Sequence, residues 1–250
     1  MPHLAARGGN PRVLILGGTT EGRRLAAALD GWPVISSLAG RTSRPRLPPG
    51  EVRIGGFGGV EGLAAYVRDR RIDALVDATH PFAATMTAHA VDAAAATGVP
   101  LLVLRRPGWV AGPGDDWHRV PDPGEAAARL PRLGDRVFLT TGRQGIGAFA
   151  AVDGCWFLAR SVEPPAPPVP ERLEIVLDRG PFTLDGERRL LREHRVNVLV
   201  TKDSGGPSGK LAAARELGVP VLMIDRPPAP QVPAVDTIEE AVTWLKVAGW

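Results

Sequence analysis

A glycine-rich turn near the start of the chain has the residue types of a dinucleotide-binding loop. The apolar run 13–16 ends at Gly17 and Gly18, and a helical pattern follows. Glycines let the backbone turn sharply and approach a pyrophosphate, whose charge then lies on the amides of the helix N-terminus. Gly22 fills the third position of G-x-G-x-x-G, but Thr19 replaces the middle glycine. A turn that only closes a βα unit has the same pattern, so this loop alone leaves both interpretations open.

The stretch after the second predicted strand contains no carboxylate. NAD-preferring sites usually carry an acid there, which binds the ribose hydroxyls. This chain has instead the hydroxyls of Ser36 and Ser37, followed by Arg41 and Arg44. A 2′-phosphate is bound well by short hydroxyl donors and a guanidinium fork, with no acid to repel it. We therefore predict NADPH as the cofactor, with a solvated basic loop as the alternative.

A histidine follows the fourth predicted strand, at the edge where open α/β sheets bind ligands. His80 is the only histidine at a predicted strand end, so we expect it to orient a nicotinamide or relay a proton; hydrogen bonding within its own loop is the alternative. Asp77 lies nearby and is expected either to orient His80 or to cap the next helix. The other histidines have no metal-ligand partners at useful spacing, and no metal site is predicted.

Two later loops each combine hydroxyls with one cation. Residues 140–145 and 201–206 both leave predicted strands and lead toward helices, and they carry Arg143 and Lys202 respectively. Such loops offer hydroxyls, a positive charge and helix N-terminal amides to a carboxylate. An ordinary helix cap explains one such loop, whereas two basic loops on strands of one sheet favour an anionic ligand.

Several function classes are excluded by residue spacing and composition. A short-chain dehydrogenase needs Tyr and Lys four residues apart, but Tyr66 is followed at that spacing by Arg70. A Walker loop fails because Ser204 replaces its first glycine and Leu211 its magnesium-binding hydroxyl. Basic and aromatic residues are not clustered, which argues against nucleic acid. The net charge of +3 favours anionic ligands in general.

Bulk features predict a soluble, cytoplasmic protein. The chain has 250 residues and a single cysteine, Cys155, which lies in an apolar run and is expected in the core rather than as a nucleophile. No apolar stretch has the length of a signal peptide or of a membrane span, so no membrane association is expected.

Strand and helix signals alternate along most of the chain. This pattern predicts an α/β fold of two domains, each with a parallel sheet flanked by helices. A loop rich in Pro and Gly, 106–116, is the best boundary and predicts domains at 1–106 and 107–250. The proline-rich segment 163–170 is expected to be an irregular surface connector.

Four segments in this order resemble the precorrin-6A reductases of the precorrin-6x reductase family: 17–22, 36–44, 77–83 and 201–205. The resemblance spans roughly Val13 to Asp225. It implies two Rossmann-like domains with a ligand cleft between them, where NADPH held by the first domain meets a tetrapyrrole held mostly by the second. It also implies the reaction, reduction of a ring double bond of precorrin-6A to precorrin-6B in cobalamin biosynthesis. The substrate carries several carboxylates, so separated cations and amide donors suit it.

Site residues follow from combining the motifs with the resemblance. The predicted catalytic residues are His80, Thr79 and Asp77. The predicted cofactor-binding residues are Gly17, Gly18, Thr19, Thr20, Glu21, Ser36, Ser37, Arg41 and Thr79. The predicted substrate-binding residues are Gly40, Arg41, Thr42, His80, Pro81, Phe82, Thr141, Gly142, Arg143, Lys202, Asp203, Ser204 and Gly205.

Three rival functions stay open on the sequence. A cobalt-precorrin-6A reductase would act on the metallated ring and can use NADH. A nucleotide-sugar epimerase or dehydrogenase is disfavoured by the missing Tyr/Lys pair. A non-catalytic NADP-sensing module would bind the cofactor without turnover. We expect a monomer that makes transient contacts with neighbouring enzymes of the pathway.

Overall fold

The computed structural model of the chain describes residues 10–40 and 45–247. Its first elements are β1 (Val13–Leu16), α1 (Thr20–Ala28), β2 (Val34–Leu38), β3 (Glu51–Ile54), α2 (Val60–Asp69), β4 (Ala74–Asp77), α3 (Ala84–Thr97) and β5 (Leu101–Leu104). The middle of the chain forms β6 (Trp117–Val120), α4 (Pro123–Arg129), β7 (Arg136–Leu139), β8 (Trp156–Ser161), β9 (Leu173–Leu177), α5 (Leu184–Glu193), β10 (Val198–Lys202), α6 (Gly209–Glu216) and β11 (Val221–Ile224). The chain ends with β12 (Ala234–Val235) and α7 (Ile238–Val247), and 3₁₀ turns cover Leu130–Arg132 and Arg143–Phe149.

The chain divides into two compact units, each built on a six-stranded parallel sheet. In unit 1 the strand order is β12-β5-β4-β1-β2-β3, and in unit 2 it is β6-β11-β10-β7-β8-β9. In unit 1, β1 lies between β2 and β4, and in unit 2, β7 lies between β8 and β10. The strand order reverses at these two places, and open α/β sheets bind ligands at the carboxyl ends of the strands there. The predicted fold class, two parallel-sheet α/β domains flanked by helices, is confirmed.

The units differ from the predicted domains at the C-terminal end. Unit 1 contains the residues up to Pro107 together with those from Pro227 onward, and unit 2 spans Gly108–Arg226. The predicted second domain, 107–250, therefore included β12 and α7, which belong to unit 1. The physical reason is that β12 pairs with β5, and α7 buries Ala241 and Leu245 in the unit 1 core. Neither contact is encoded by local periodicity.

Two apolar layers cover the sheet of unit 1. Alternate residues of β1 point to opposite faces, so Val13 and Ile15 pack with α1 and α7, while Leu14 and Leu16 pack with α2 and α3. All four residues of β1 are buried, as expected for a central parallel strand covered on both faces.

Two further features concern the length of the apolar helices and the burial of Cys155. Within the described ranges, none of the helices is both long and apolar enough to span a bilayer. Cys155 is buried, as predicted, and burial raises the pKa of its thiol, which disfavours the nucleophilic thiolate.

Candidate functional site

The loop after β1 has the backbone of a phosphate-binding turn. The N–H of Gly17 donates to the carbonyl of Ser37 (2.9 Å), which fixes the loop to β2. Gly18 has φ +106°, and a Cβ built on it would meet no atom within 4 Å. The positive φ explains the glycine, and the open space beside it is a cradle that a ligand can approach.

Thr19 ties this loop to the neighbouring strand. Its hydroxyl accepts from the N–H of Gly22 (3.1 Å), which makes Thr19 the N-cap of α1, and it donates to the carbonyl of Ala78 (2.7 Å). A Cβ on Gly22 would lie 3.3 Å from the Cα of Gly17 and 3.5 Å from the Cβ of Ala78, so this glycine permits close helix–loop packing. The Thr19 side chain is therefore a structural clamp.

The first turn of α1 carries an acid whose charge is compensated. Glu21 accepts a hydrogen bond from Arg106 through an Nη1–Oε2 distance of 2.7 Å, and both side chains are mostly buried. The hydroxyl of Thr20 accepts from Arg23 (2.9 Å) at the surface. The sequence analysis missed Arg106. Its place just after β5, at the ligand-binding edge, was the available signal.

The end of β2 contains hydroxyls and no acid. Ser36 is 2% exposed, and its Oγ has no hydrogen-bond partner among the described residues. Ser37 faces β3, where its Oγ lies 3.5 Å from Nη1 of Arg53. Gly40 turns with φ +70° against Ile54. Arg41 and Thr42, two predicted contact residues, lie outside the described residues.

Asp77 organises the turn after β4. Its Oδ1 accepts from the N–H (3.0 Å) and the hydroxyl (2.6 Å) of Thr79, and its Oδ2 accepts from the hydroxyl of Thr87 (2.6 Å). Asp77 is 2% exposed. Of the two roles predicted for Asp77, anchoring α3 fits these contacts, and we assign it as a positioning residue.

His80 is exposed and lies in the turn between β4 and α3. Its Nδ1 accepts from the N–H of Phe82 (3.2 Å), and the two rings are 5.8 Å apart. A neutral ring that accepts at Nδ1 carries its proton on Nε2. Pro81 is buried and Phe82 is half-buried, so both support the turn. The loop places His80 at the ligand-binding edge of unit 1.

In unit 2 the loops after β7 and β10 are neighbours, because these two strands pair in parallel. Thr141 is 4% exposed, and its Oγ1 has no hydrogen-bond partner within the described part of the chain. A Cβ on Gly145 would lie 2.8 Å from that oxygen and 3.8 Å from Nζ of Lys202. The two predicted loops therefore place a hydroxyl and an ammonium beside the same glycine.

The cation of the β7 loop is already paired. Arg143 donates from Nη1 to Glu163 (2.5 Å), which leads into the proline-rich connector and was missed from the sequence. Gly142 has φ +74° and caps the turn. The segment after Gly142 is a 3₁₀ turn and not the predicted helix, because glycines interrupt it at Gly145 and Gly147.

Asp203 positions the β10 loop. Its Oδ1 accepts from the N–H of Trp109 (2.9 Å), and its Oδ2 accepts from Arg119 (3.0 Å). The side chain of Arg226 donates to its carbonyl (2.8 Å), and Asp203 is 4% exposed. These bonds fit a role in positioning the loop, and direct contact between Asp203 and the substrate stays a prediction.

The rest of the β10 loop contains two glycines in the left-handed region and one partly buried cation, Lys202. Gly205 and Gly206 have φ +67° and +78°, and the N–H of Ser204 donates to the carbonyl of Lys202 (2.7 Å). Burial lowers the pKa of the Lys202 ammonium. Among the described residues, no group of three His, Cys, Asp or Glu side chains is placed to hold a metal ion.

Comparison with known proteins identifies close relatives. The profile of the family described as precorrin-6x reductase CbiJ/CobK matches residues 12–246. A precorrin-6A reductase of Rhodococcus erythropolis is 55% identical over 242 residues, covering 94% of this chain and 97% of the relative. A cobalt-precorrin-6A reductase of Priestia megaterium is 29% identical over 251 residues, covering 92% and 96%. A solved structure of CobK precorrin-6A reductase has a TM-score of 0.89 at 43% identity, covering 96% of this chain and 98% of that one.

Proposed function

We propose that NADPH supplies the hydride for the reaction of this chain. The chain belongs to the precorrin-6x reductase family and reduces a ring double bond of precorrin-6A in cobalamin biosynthesis. The observation that carries the cofactor choice is the end of β2, where Ser36 and Ser37 stand in place of the acid that binds an unphosphorylated ribose. The residues present fit this cofactor. Gly18 leaves an open cradle for the pyrophosphate, and the buried Ser36 hydroxyl lacks a partner within the described ranges.

Unit 1 is proposed to hold the cofactor, with β12 and α7 as part of that domain. The amides that follow Gly17 and Gly18 bind the pyrophosphate, and Thr19 fixes their direction through Ala78. Arg106 neutralises Glu21, which removes a repulsive charge from the first turn of α1. Arg41 and Thr42 are proposed to contribute to the ribose phosphate and the substrate.

The nicotinamide, when bound, supplies a hydride to one ring carbon, and a proton adds to the neighbouring carbon. His80 is proposed to orient the reacting groups through its Nε2 proton, because Phe82 fixes the ring from the Nδ1 side. Asp77 and Thr79 act through the turn that carries His80. They are positioning residues, and their replacement should lower kcat by distorting that turn.

Unit 2 is proposed to bind the carboxylates of the tetrapyrrole. Thr141, Lys202 and the amides around Gly205 offer donors along one sheet edge. Arg143 keeps its charge partly compensated by Glu163, so a substrate carboxylate has to compete for its donors.

An anaerobic turnover assay tests the cofactor proposal. The enzyme is incubated with precorrin-6A and either NADPH or NADH, and nicotinamide absorbance is followed. NADPH should be preferred, and Arg41→Ala should weaken NADPH about 10-fold or more while changing NADH little, since one charge-assisted contact is lost. Equal use of both cofactors by the unmodified enzyme would refute the phosphate pocket.

A matched control separates this effect from a general loss of positive charge. Arg68 lies in the last turn of α2, which runs antiparallel to the strands and therefore ends at the opposite sheet edge. Arg68→Ala should leave the NADPH/NADH ratio unchanged. Turnover of cobalt-precorrin-6A in the same assay tests the metallated alternative, for which the expected rate is lower.

A further inference from the structure

A second guanidinium lies beside the hydroxyls of β2, on the neighbouring strand. Arg53 of β3 pairs in register with Ser37, and its side chain extends toward the carboxyl end of the sheet. Nη1 donates to the carbonyl of Gly55 (2.5 Å) and lies 3.5 Å from Oγ of Ser37, and Nη2 donates to the carbonyl of Gly56 (2.7 Å). Nothing in the motif analysis singled out this residue.

The Arg53 side chain is held in one orientation with donors left over. Its guanidinium carbon lies 3.8 Å from the centre of the Phe57 ring and 5.3 Å from that of Tyr66. A guanidinium has five N–H donors, and the bonds to Gly55, Gly56 and Ser37 use three of them. The Nε–H and one Nη2 hydrogen have no partner among the described residues.

The charge of Arg53 is not paired with an acid. Its partners are two carbonyls and one hydroxyl, and it forms no ion pair with any described residue. Nearby arginines of unit 1 differ: Arg70 pairs with Glu51, and Arg106 pairs with Glu21. A stacked, pre-oriented guanidinium with unspent donors and no carboxylate is suited to a phosphate.

We propose that Arg53 is a specificity-determining residue that contacts the ribose 2′-phosphate directly, together with the hydroxyl of Ser37. The proposal rests on the proposed use of NADPH and deepens it by naming a second phosphate ligand. The carbonyls of Gly55 and Gly56 fix the guanidinium before the cofactor arrives, so little side-chain freedom is lost on binding.

Binding of two small adenosine nucleotides tests this role without turnover. Adenosine 2′,5′-bisphosphate and adenosine 5′-monophosphate differ in the 2′-phosphate, and calorimetry gives their dissociation constants for each variant. Arg53→Met should weaken the bisphosphate by about 10- to 100-fold, the loss of one or two charge-assisted contacts, and change the monophosphate less than about 3-fold. Arg53→Lys keeps the charge but loses the fork, so an intermediate and equally selective loss is expected.

Arg70→Met is the matched control. Arg70 also lies over the Tyr66 ring (5.6 Å), but it pairs with Glu51 at the start of β3, near the other edge of the sheet. This variant should bind both nucleotides like the unmodified protein. Thermal unfolding of each variant identifies any that is not folded. If Arg53→Met does not fold, the affinities of Arg53→Lys for the two nucleotides test the proposal.

The outcomes separate this proposal from the one it rests on. If the unmodified protein binds the bisphosphate no better than the monophosphate, the choice of NADPH fails. If it prefers the bisphosphate and the folded Arg53 variants keep that preference, or lose both nucleotides equally, Arg53 only supports the 55–57 turn and the inference is overturned.

Discussion

Thr19 stands where dinucleotide-binding loops carry their second glycine, and its hydroxyl joins α1 to the end of β4. Thr19→Val should destabilise the protein by about 2 kcal/mol, because one helix cap and one buried hydrogen bond are lost. Urea unfolding measures this change. The NADPH dissociation constant should rise as well, since the loop amides lose their fixed direction.

Two further variants, one at the same position and one at its neighbour, provide controls for that substitution. Thr19→Ser keeps the hydroxyl and should cost less than about 1 kcal/mol. Thr20→Val removes an exposed hydroxyl that only meets Arg23, and its effect should stay within about 0.5 kcal/mol. A Thr19→Val protein as stable as these two would show that the clamp contributes nothing.

Lys202 links substrate binding to pH. Burial lowers the pKa of its ammonium, so the folded state favours the neutral amine more than the unfolded chain does. The charge that binds a carboxylate is present below that lowered pKa and is lost as pH rises through it. The KM for precorrin-6A should therefore begin to rise at a lower pH than it would if the pKa of Lys202 had its usual value, while kcat changes less.

Variants of Lys202 test that origin of the pH dependence. Lys202→Met should raise KM about 10- to 100-fold at neutral pH, the loss of a charge-assisted contact, and remove the alkaline rise. Lys202→Arg should keep the charge to higher pH and shift the rise upward. An unchanged alkaline profile in Lys202→Met would assign the titration to another group.

At the scale of elements, the loop after β10 depends on one buried carboxylate. Asp203→Asn should cost about 2 kcal/mol in urea unfolding, because the amide cannot serve Arg119 and Trp109 as the carboxylate does. Asp225 also bonds Arg119 (2.6 Å) but is more exposed, so Asp225→Asn should cost less than about 1 kcal/mol. Equal costs would contradict the positioning role of Asp203.

The elements that sequence patterns predicted are those with strong local signals. Buried strands such as β4 and β5 and amphipathic helices such as α5 and α7 produce the alternation that predicted the fold class, because a continuous apolar run or apolar periodicity marks each. Three strands, β6, β9 and β12, lack such a signal, and all three are sheet edges with partly exposed residues. An edge strand is fixed by its neighbour and carries little pattern of its own.

The candidate site was predictable to the same extent. Glycines and hydroxyls at strand ends identified the loops, because parallel strands bring those ends to one edge. The partners that set each side chain's role were not predictable: Ala78 for Thr19, Thr87 for Asp77 and Trp109 for Asp203 are distant in sequence or unmarked by a motif. The sequence therefore predicted where these side chains lie but not which buried partners each of them has.

At the scale of the whole molecule, the sheet of unit 1 obtains its sixth strand from outside the consecutive run that forms the other five. That strand is β12, which follows all of unit 2 in the chain, whereas the sheet of unit 2 is formed by the consecutive strands β6 to β11. The helix α7 adds Ala241 and Leu245 to the layer that contains Leu25. Removing residues 227–250 should therefore destabilise unit 1, although the rest of that unit is separated from this segment by all of unit 2 in the sequence.

Fragments of the chain test this connectivity. Residues 108–226 should fold alone with a cooperative urea transition, whereas residues 1–107 should not, because each large aliphatic side chain left unburied forfeits about 2 kcal/mol. Joining 1–107 to 227–250 through a flexible linker should restore cooperative unfolding and NADPH binding. Circular dichroism and calorimetry of the three fragments measure these outcomes. A fragment 1–107 as stable as the fusion would show that β12 and α7 are dispensable to unit 1, and the predicted division at 106 would then describe the folding units better.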